Sequence, residues 1–252
     1  MRYLIFSDLA NTLCNNFLEF SLKQIEKINN LISNDCKLII LTEEPFESLD
    51  KIIKANNIGC DYYSASSLIG FINNNIIDNK IELDSIKFIF EKYKKSIYTS
   101  CLMYKNINNV INHLDRLESF YPSNYEIINN PILPPSEVLI AIDNNNIESL
   151  KEDIERLSLK YIIIGSDLKR TIIKIAKITP TKEAILKSLI DNYPHKKTIG
   201  IGDSYCDYSF IKHCDIKISV GNDKKLNSLC DYNYQIDELI DKLYDICHFK
   251  KV

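Results

Sequence analysis

Apolar residues fall in short, closed runs along this chain. RYLIFS (2–7) runs apolar into Asp8, and KLIILT (37–42) does the same into Glu43. Runs this short and uninterrupted suit strands buried on both faces. Between them, Leu22, Ile25, Ile28, Leu31 and Ile32 mark one face of a helix within 18–32. A second helix is predicted from about Pro45 to Asn56, where proline suits the first turn. Strand, helix, strand, helix predicts a parallel sheet covered by helices. The rhythm returns near the other end, with a helix over 181–192, a strand over 196–203 that ends in Gly-Asp, a helix over 205–213 and a strand over 215–221.

The texture between these stretches differs. FINNNIIDN (71–79) breaks short apolar runs with Asn clusters and predicts a hairpin. Helical patterns follow over 83–95, 106–119 and 147–158, an extended Pro-rich stretch over 124–142, and strands over 160–165 and 170–178. The prediction is an α/β core, 1–78 plus 175–252, carrying an inserted α+β module over 79–174. No internal repeat interrupts this plan.

Composition narrows the function classes. The 252 residues, 45% hydrophobic and 26% charged, suit an ordinary globular chain of one large domain or a core plus one module. A net charge of −3 gives no electrostatic footprint for nucleic acid or an anionic membrane. No apolar run approaches the length of a transmembrane helix, and the apolar start before Asp8 is too short for a signal peptide. Eight cysteines without a CxxC pair read as thiols, most of them core-filling, and the expected location is cytoplasmic.

Three strand ends carry polar groups: Asp8-Leu9-Ala10-Asn11-Thr12, Thr42, and Gly202-Asp203 with Asp207 four residues on. One Asp after a strand is most often a turn or N-cap residue. Two in one crevice repel unless a cation or a proton offsets them, and hard carboxylate oxygens suit Mg²⁺.

Taken in order, these residues resemble the four motifs of the haloacid dehalogenase-like hydrolase superfamily. Asp8 and Thr12 match the first (DxDxT), Thr42 the second, Lys182 in ITPTKEAIL the third, and Gly202 to Asp207 the fourth (GDxxxD). Only 29 residues separate Thr12 from Thr42, whereas 139 separate Thr42 from Lys182. That spacing is similar to the Cof or IIB type, which carries a large α/β cap between the second and third motifs and includes sugar-phosphate phosphatases. The resemblance implies a doubly wound, Rossmann-like parallel-sheet core with an inserted α+β cap that moves over the crevice. It implies a Mg²⁺-dependent phosphohydrolase acting on a small phosphorylated metabolite. Asp8 would be the nucleophile, and Thr42 and Lys182 would hold the phosphoryl oxygens. Thr12 would bind substrate or cap the turn. Asp8, the Ala10 backbone carbonyl and Asp203 would hold the metal, with Asp207 supporting that shell. Neither nucleic acid nor membrane is an expected partner, and the oligomeric state is not legible.

The departures matter as much. The second Asp of the first motif, which protonates the leaving oxygen and then activates water, is Ala10 here. Its loss costs about 10²–10⁴-fold for a poor leaving group such as an alkoxide. Four readings stay open: an impaired protein that binds a phosphorylated ligand or regulates a partner; an enzyme for substrates that leave without a proton, such as acyl phosphates or phosphoanhydrides; carbon–phosphorus cleavage; or another acid in place of the lost one. Phosphonoacetaldehyde hydrolases also carry Ala at this position but place their cap between the first two motifs, which argues against the third. Glu43 and Glu44 are the acids considered for the fourth, in a place where relatives often have Gly-Arg; both also suit solvated helix starts. Asn11 replaces a usual Gly and tolerates the turn, and Cys206 replaces a usual Asn. His113, His195, His213 and His248 show no catalytic spacing, and Tyr62, Tyr63, Tyr98 and Tyr104 are candidates for a cap pocket.

Overall fold

Every residue of β1 (Tyr3–Ser7) is buried, as are all but one of β2 (Cys36–Thr42), so both faces of this sheet are covered. That explains why their sequences read as continuous apolar runs rather than as alternation. The computed structural model describes residues 2–33, 36–104, 108–112, 125–194 and 196–248. The chain forms two units, one of residues 1–66, 70–77 and 181–252, the other of residues 67–69 and 78–180.

In the first unit, β2 and β3 (Asp61–Ser64) lie to one side of β1, with β12 (Lys197–Gly202), β13 (Ile216–Val220) and β14 (Tyr232–Tyr234) on the other, all parallel. The edge beyond β3 is extended by β4 (Ile69–Ile72) and β5 (Asn75–Asp78). Asn73 and Asn74 join these two with φ of 50° and 63°, the left-handed pair that a two-residue hairpin turn requires. The order β14-β13-β12-β1-β2-β3 reverses between β12 and β1, a topological switch point.

The helices of this unit start where local chemistry allows. Helix α1 (Leu22–Ser33) begins at the first residue of its apolar stripe, where Ser21 and Gln24 form reciprocal bonds: the Gln24 amide donates to Ser21 Oγ at 3.2 Å, and the Ser21 amide to Gln24 Oε1 at 2.9 Å. Helix α2 (Phe46–Ala55) follows Pro45 and buries Phe46, Leu49 and Ile53. Tyr62 and Tyr63 are buried in the sheet; Tyr62 stacks between Phe46 and Phe71 and donates to Asp50 Oδ1 at 2.6 Å, so both are core residues rather than pocket walls. Helices α5 (Lys182–Ile190), α6 (Tyr208–Ile211), α7 (Lys224–Asn227) and α8 (Ile236–His248) complete the unit. The helix expected over 205–213 is instead a 3₁₀ turn, Tyr205–Asp207, followed by the single turn of α6. The sequence reading did not anticipate β3, β14, α7 or α8.

The second unit is a sheet ordered β10-β11-β9-β6-β7-β8, from β6 (Ile97–Met103), β7 (Asn108–Ile111), β8 (Tyr125–Ile127), β9 (Glu137–Asp143), β10 (Lys160–Ser166) and β11 (Arg170–Ala176). One face packs Val138, Ile140, Ile142, Ile173 and Ile175 against Ile86, Ile89 and Tyr93 of α3 (Leu83–Tyr93) and Leu150 and Ile154 of α4 (Ile147–Arg156). Asp153 ties the helices together, accepting from Tyr93 Oη at 2.7 Å and Arg156 at 2.8 Å. The helix expected over 106–119 is overturned at 108–111, where β7 pairs antiparallel with β6. Two Asn followed by Val and Ile make a poor helix and a good strand once a partner edge is present. Residues 106–107 and 113–119, with His113, lie outside the described residues, as does His195.

Ile140 is fully buried at the centre of the second unit's core. Ile140→Ala is expected to destabilise the protein by about 2–5 kcal/mol. Urea unfolding checks this; an unchanged midpoint would mean that the sheet–helix core contributes nothing measurable.

Candidate active site

Asp8 follows β1 directly, and its amide donates to the Ile201 carbonyl of β12 at 2.9 Å. Its side chain therefore emerges at the carboxyl end of the strand beside the switch point, where open α/β sheets place ligands. The next residues turn tightly: the amides of Thr12, Leu13 and Cys14 all donate to the Leu9 carbonyl, and Asn11 takes the left-handed φ of 55°. Asn accepts that conformation at lower cost than most residues. Ala10 sits in this turn and forms a β-bridge with Cys14, so the turn carries no second carboxylate.

Asp203 follows β12, and Thr12 Oγ1 donates to its Oδ1 at 3.4 Å. Lys182 opens α5, whose N-cap is Thr181; Thr181 Oγ1 accepts from the Ala184 amide at 3.2 Å. This cap fixes the first turn and so the direction of the lysine. Lys182 Nζ donates to Asp8 Oδ1 at 2.7 Å and to Asp207 Oδ1 at 2.8 Å. The other oxygen of Asp207 accepts from the Ser204 amide at 3.3 Å and Ser204 Oγ at 3.2 Å. Gly202 makes the close approach possible, since a Cβ there would lie 2.4 Å from the Asp207 Cβ. Thr42, 3% exposed at the end of β2, accepts from the Glu44 amide at 3.2 Å.

Residues from three separate stretches, 8–12, 182 and 203–207, thus converge, while Thr42 stands at the end of the neighbouring strand β2. One carboxylate oxygen each of Asp8, Asp203 and Asp207 lies within 4.8 Å of the others. Three carboxylates against one ammonium leave an excess of negative charge, and the titration of the groups reflects it. Burial raises Asp8, Lys182 pulls it back and Asp207 raises it again, leaving it at about 6. Burial first, then the charge of Asp207, also raises Asp203. Burial works against the Lys182 ammonium, but Asp8 and Asp207 outweigh it and hold its pKa above the usual value. A divalent cation fits this set: hard oxygens, close together, with negative charge to spare.

Sequence reasoning missed the residues that hold this loop cluster in place. Asp223 accepts from the Lys225 and Leu226 amides at 2.9 and 3.0 Å, and from the Tyr205 amide at 2.9 Å across to the fourth-motif loop. Its only sequence signal is an Asp one residue before a short Lys-bearing segment. Ser204 and Thr181 likewise look like ordinary polar residues until their caps are formed.

Comparison with known proteins follows the same lines. The haloacid dehalogenase-like hydrolase family matches residues 5–235. Among solved structures, a haloacid dehalogenase-like hydrolase from Bacteroides thetaiotaomicron is similar at 19% identity, TM-score 0.60, over 98% of this chain and 100% of that one. A protein from Thermotoga maritima is similar at 18% identity and TM-score 0.61, over 97% of each chain. A sugar phosphatase of HAD subclass IIB is similar at 17% identity and TM-score 0.54, over 99% of each. At such identities the likeness is one of fold. Comparison with curated proteins gave no match by sequence.

The raised pKa of Asp8 has a consequence for the metal-free protein. The folded value of about 6 lies above the ~3.9 of an unfolded aspartate, so the fold binds this proton more tightly between those limits. Stability then falls as pH rises through that window, and the full penalty applies above it. In EDTA, Asp8→Asn is expected to unfold at higher urea than the parent at about pH 7.5, with the gap closing by about pH 4. A less stable Asp8→Asn at the higher pH would show that the ionised Asp8 is not a burden on the fold.

Proposed function

The chain belongs to the haloacid dehalogenase-like hydrolases, and on that footing we propose that it is a Mg²⁺-dependent phosphohydrolase working through an aspartyl-phosphate on Asp8. The observation that carries this reading is the buried ion pair at the switch point, Asp8 Oδ1 at 2.7 Å from Lys182 Nζ. A carboxylate held against an ammonium, with other carboxylates behind, suits an oxygen nucleophile that receives a phosphoryl group and a cation that spreads its charge.

An oxygen of Asp8 attacks phosphorus while the bond from phosphorus to the leaving oxygen breaks. Lys182, no longer facing a free carboxylate, turns its charge to the transferred oxygens, with Asp207 keeping it in place. Thr42 offers its hydroxyl proton to a phosphoryl oxygen. Asp8, Asp203 and the Ala10 carbonyl would hold Mg²⁺, which when bound neutralises phosphoryl charge. Asp207, with both oxygens already accepting hydrogen bonds, supports that shell rather than entering it. Thr12 steadies Asp203. The substrate is a small phosphorylated metabolite whose leaving group departs as a stable anion, an acyl phosphate or phosphoanhydride, because Ala10 has no proton to give. The second unit is the cap that selects it. Six buried free thiols support a reducing compartment, the cytoplasm.

The test is Mg²⁺-dependent phosphate release from an acyl phosphate, an aryl phosphate and an alkyl sugar phosphate. The parent is expected to cleave the first two, Asp8→Asn to cleave none, and Ala10→Asp to gain the sugar phosphate by about 10²-fold or more. Silence from both the parent and Ala10→Asp would displace the hydrolase reading in favour of a protein that binds a phosphorylated ligand or regulates a partner.

A further inference from the structure

A substrate with a good leaving group needs no acid for the first step, yet the aspartyl-phosphate must still be opened by water. Ala10 offers no base for that. Glu44 stands two residues beyond the end of β2, the parallel neighbour of β1. Its backbone is pinned from both sides: its amide donates to Thr42 Oγ1 at 3.2 Å, and its carbonyl accepts from Ser64 Oγ at 2.6 Å. The side chain is half-buried, and among the described residues its carboxylate enters no hydrogen bond or ion pair. Glu43 beside it is exposed.

The register of β1 against β2 locates Glu44 relative to the site: Ser7 lies opposite Ile40, so β2 ends at Thr42 beside the turn that Asp8 opens, and Glu44 follows two residues later. Among the described residues, no hydrogen bond or ion pair joins the Glu44 carboxylate to Asp8, Asp203, Asp207 or Lys182. A base for this step must stand off in that way, because a phosphorus atom and a water have to fit between it and Asp8.

Resting on the phosphohydrolase reading above, we propose that Glu44 is the general base that activates the water for hydrolysis of the Asp8 aspartyl-phosphate. The water oxygen bonds to phosphorus as the bond from phosphorus to the Asp8 oxygen breaks. The water's proton passes to Glu44, inorganic phosphate leaves as the monohydrogen anion, and Asp8 recovers its carboxylate. The lost acid of the first motif is thereby replaced, for the second half of the reaction only, from the end of the neighbouring strand.

The experiment mixes full-length protein with Mg²⁺ and acetyl phosphate, quenches in acid, and reads the phosphoryl adduct by intact mass beside steady-state phosphate release. Glu44→Gln is expected to form the adduct as fast as the parent, accumulate it, and turn over about 10²-fold or more slowly. Glu44→Asp recovers part of the turnover, and Glu43→Gln behaves as the parent. Circular dichroism melts of all variants separate loss of the base from loss of the fold. Turnover at the parent rate by Glu44→Gln, or failure of a folded Glu44→Gln to form the adduct at all, overturns the assignment of Glu44 while leaving the role of Asp8 standing. A parent that neither forms an adduct nor releases phosphate overturns both.

Discussion

The structure is organised around one electrostatic constraint: three carboxylates brought together at the end of a parallel sheet, with a single lysine to answer them. Lys182 bridges Asp8 and Asp207 and is itself placed by the Thr181 cap. Asp207 in turn is fixed by Ser204 and admitted by the missing side chain of Gly202. Remove the lysine, and two buried carboxylates face each other without compensation. Even with it, Asp8 and Asp203 hold protons more tightly than ordinary aspartates do. The site therefore carries an excess of negative charge that a cation would offset.

The backbone makes the gathering possible. Because β1 and β12 are parallel neighbours at the reversal of strand order, the loops that follow them open on one crevice. The sheet behind is buried on both faces, so the strand ends are held rigidly while the chemistry-bearing residues sit on turns. Asp223, far along the chain, then ties the fourth-motif loop to α7 through the Tyr205 amide. The two Asn turns, at Asn11 and at Asn73-Asn74, use left-handed backbone where this chain, with only six glycines, has none to spend.

Ala10 sets the protein apart from the pattern its other motifs follow. On the proposed phosphohydrolase reading, the missing acid changes which leaving groups the first step can release rather than removing the nucleophile. On the same reading Glu44 serves only the second step, from the end of the neighbouring strand.

The sequence alone determined the α/β rhythm, because doubly buried strands must be apolar throughout, and it determined the identities of Asp8, Thr12, Thr42, Lys182, Asp203 and Asp207 as the polar groups at strand and helix ends. It also carried the Asn-rich hairpin, since few residues besides Asn and Gly accept that turn. It misread 108–111 as helix, because a Val-Ile pair after two Asn has no fixed period and only the edge of β6 settles it as a strand. Tertiary structure alone decided that Tyr62 and Tyr63 are core, that Lys182 touches Asp8 and Asp207 together, and that among the described residues the Glu44 carboxylate is left without a partner. The physical reason is common to all three: periodicity and spacing act along the chain, whereas contacts between residues 174 apart, such as Lys182 and Asp8, exist only once the sheet has brought its strand ends together.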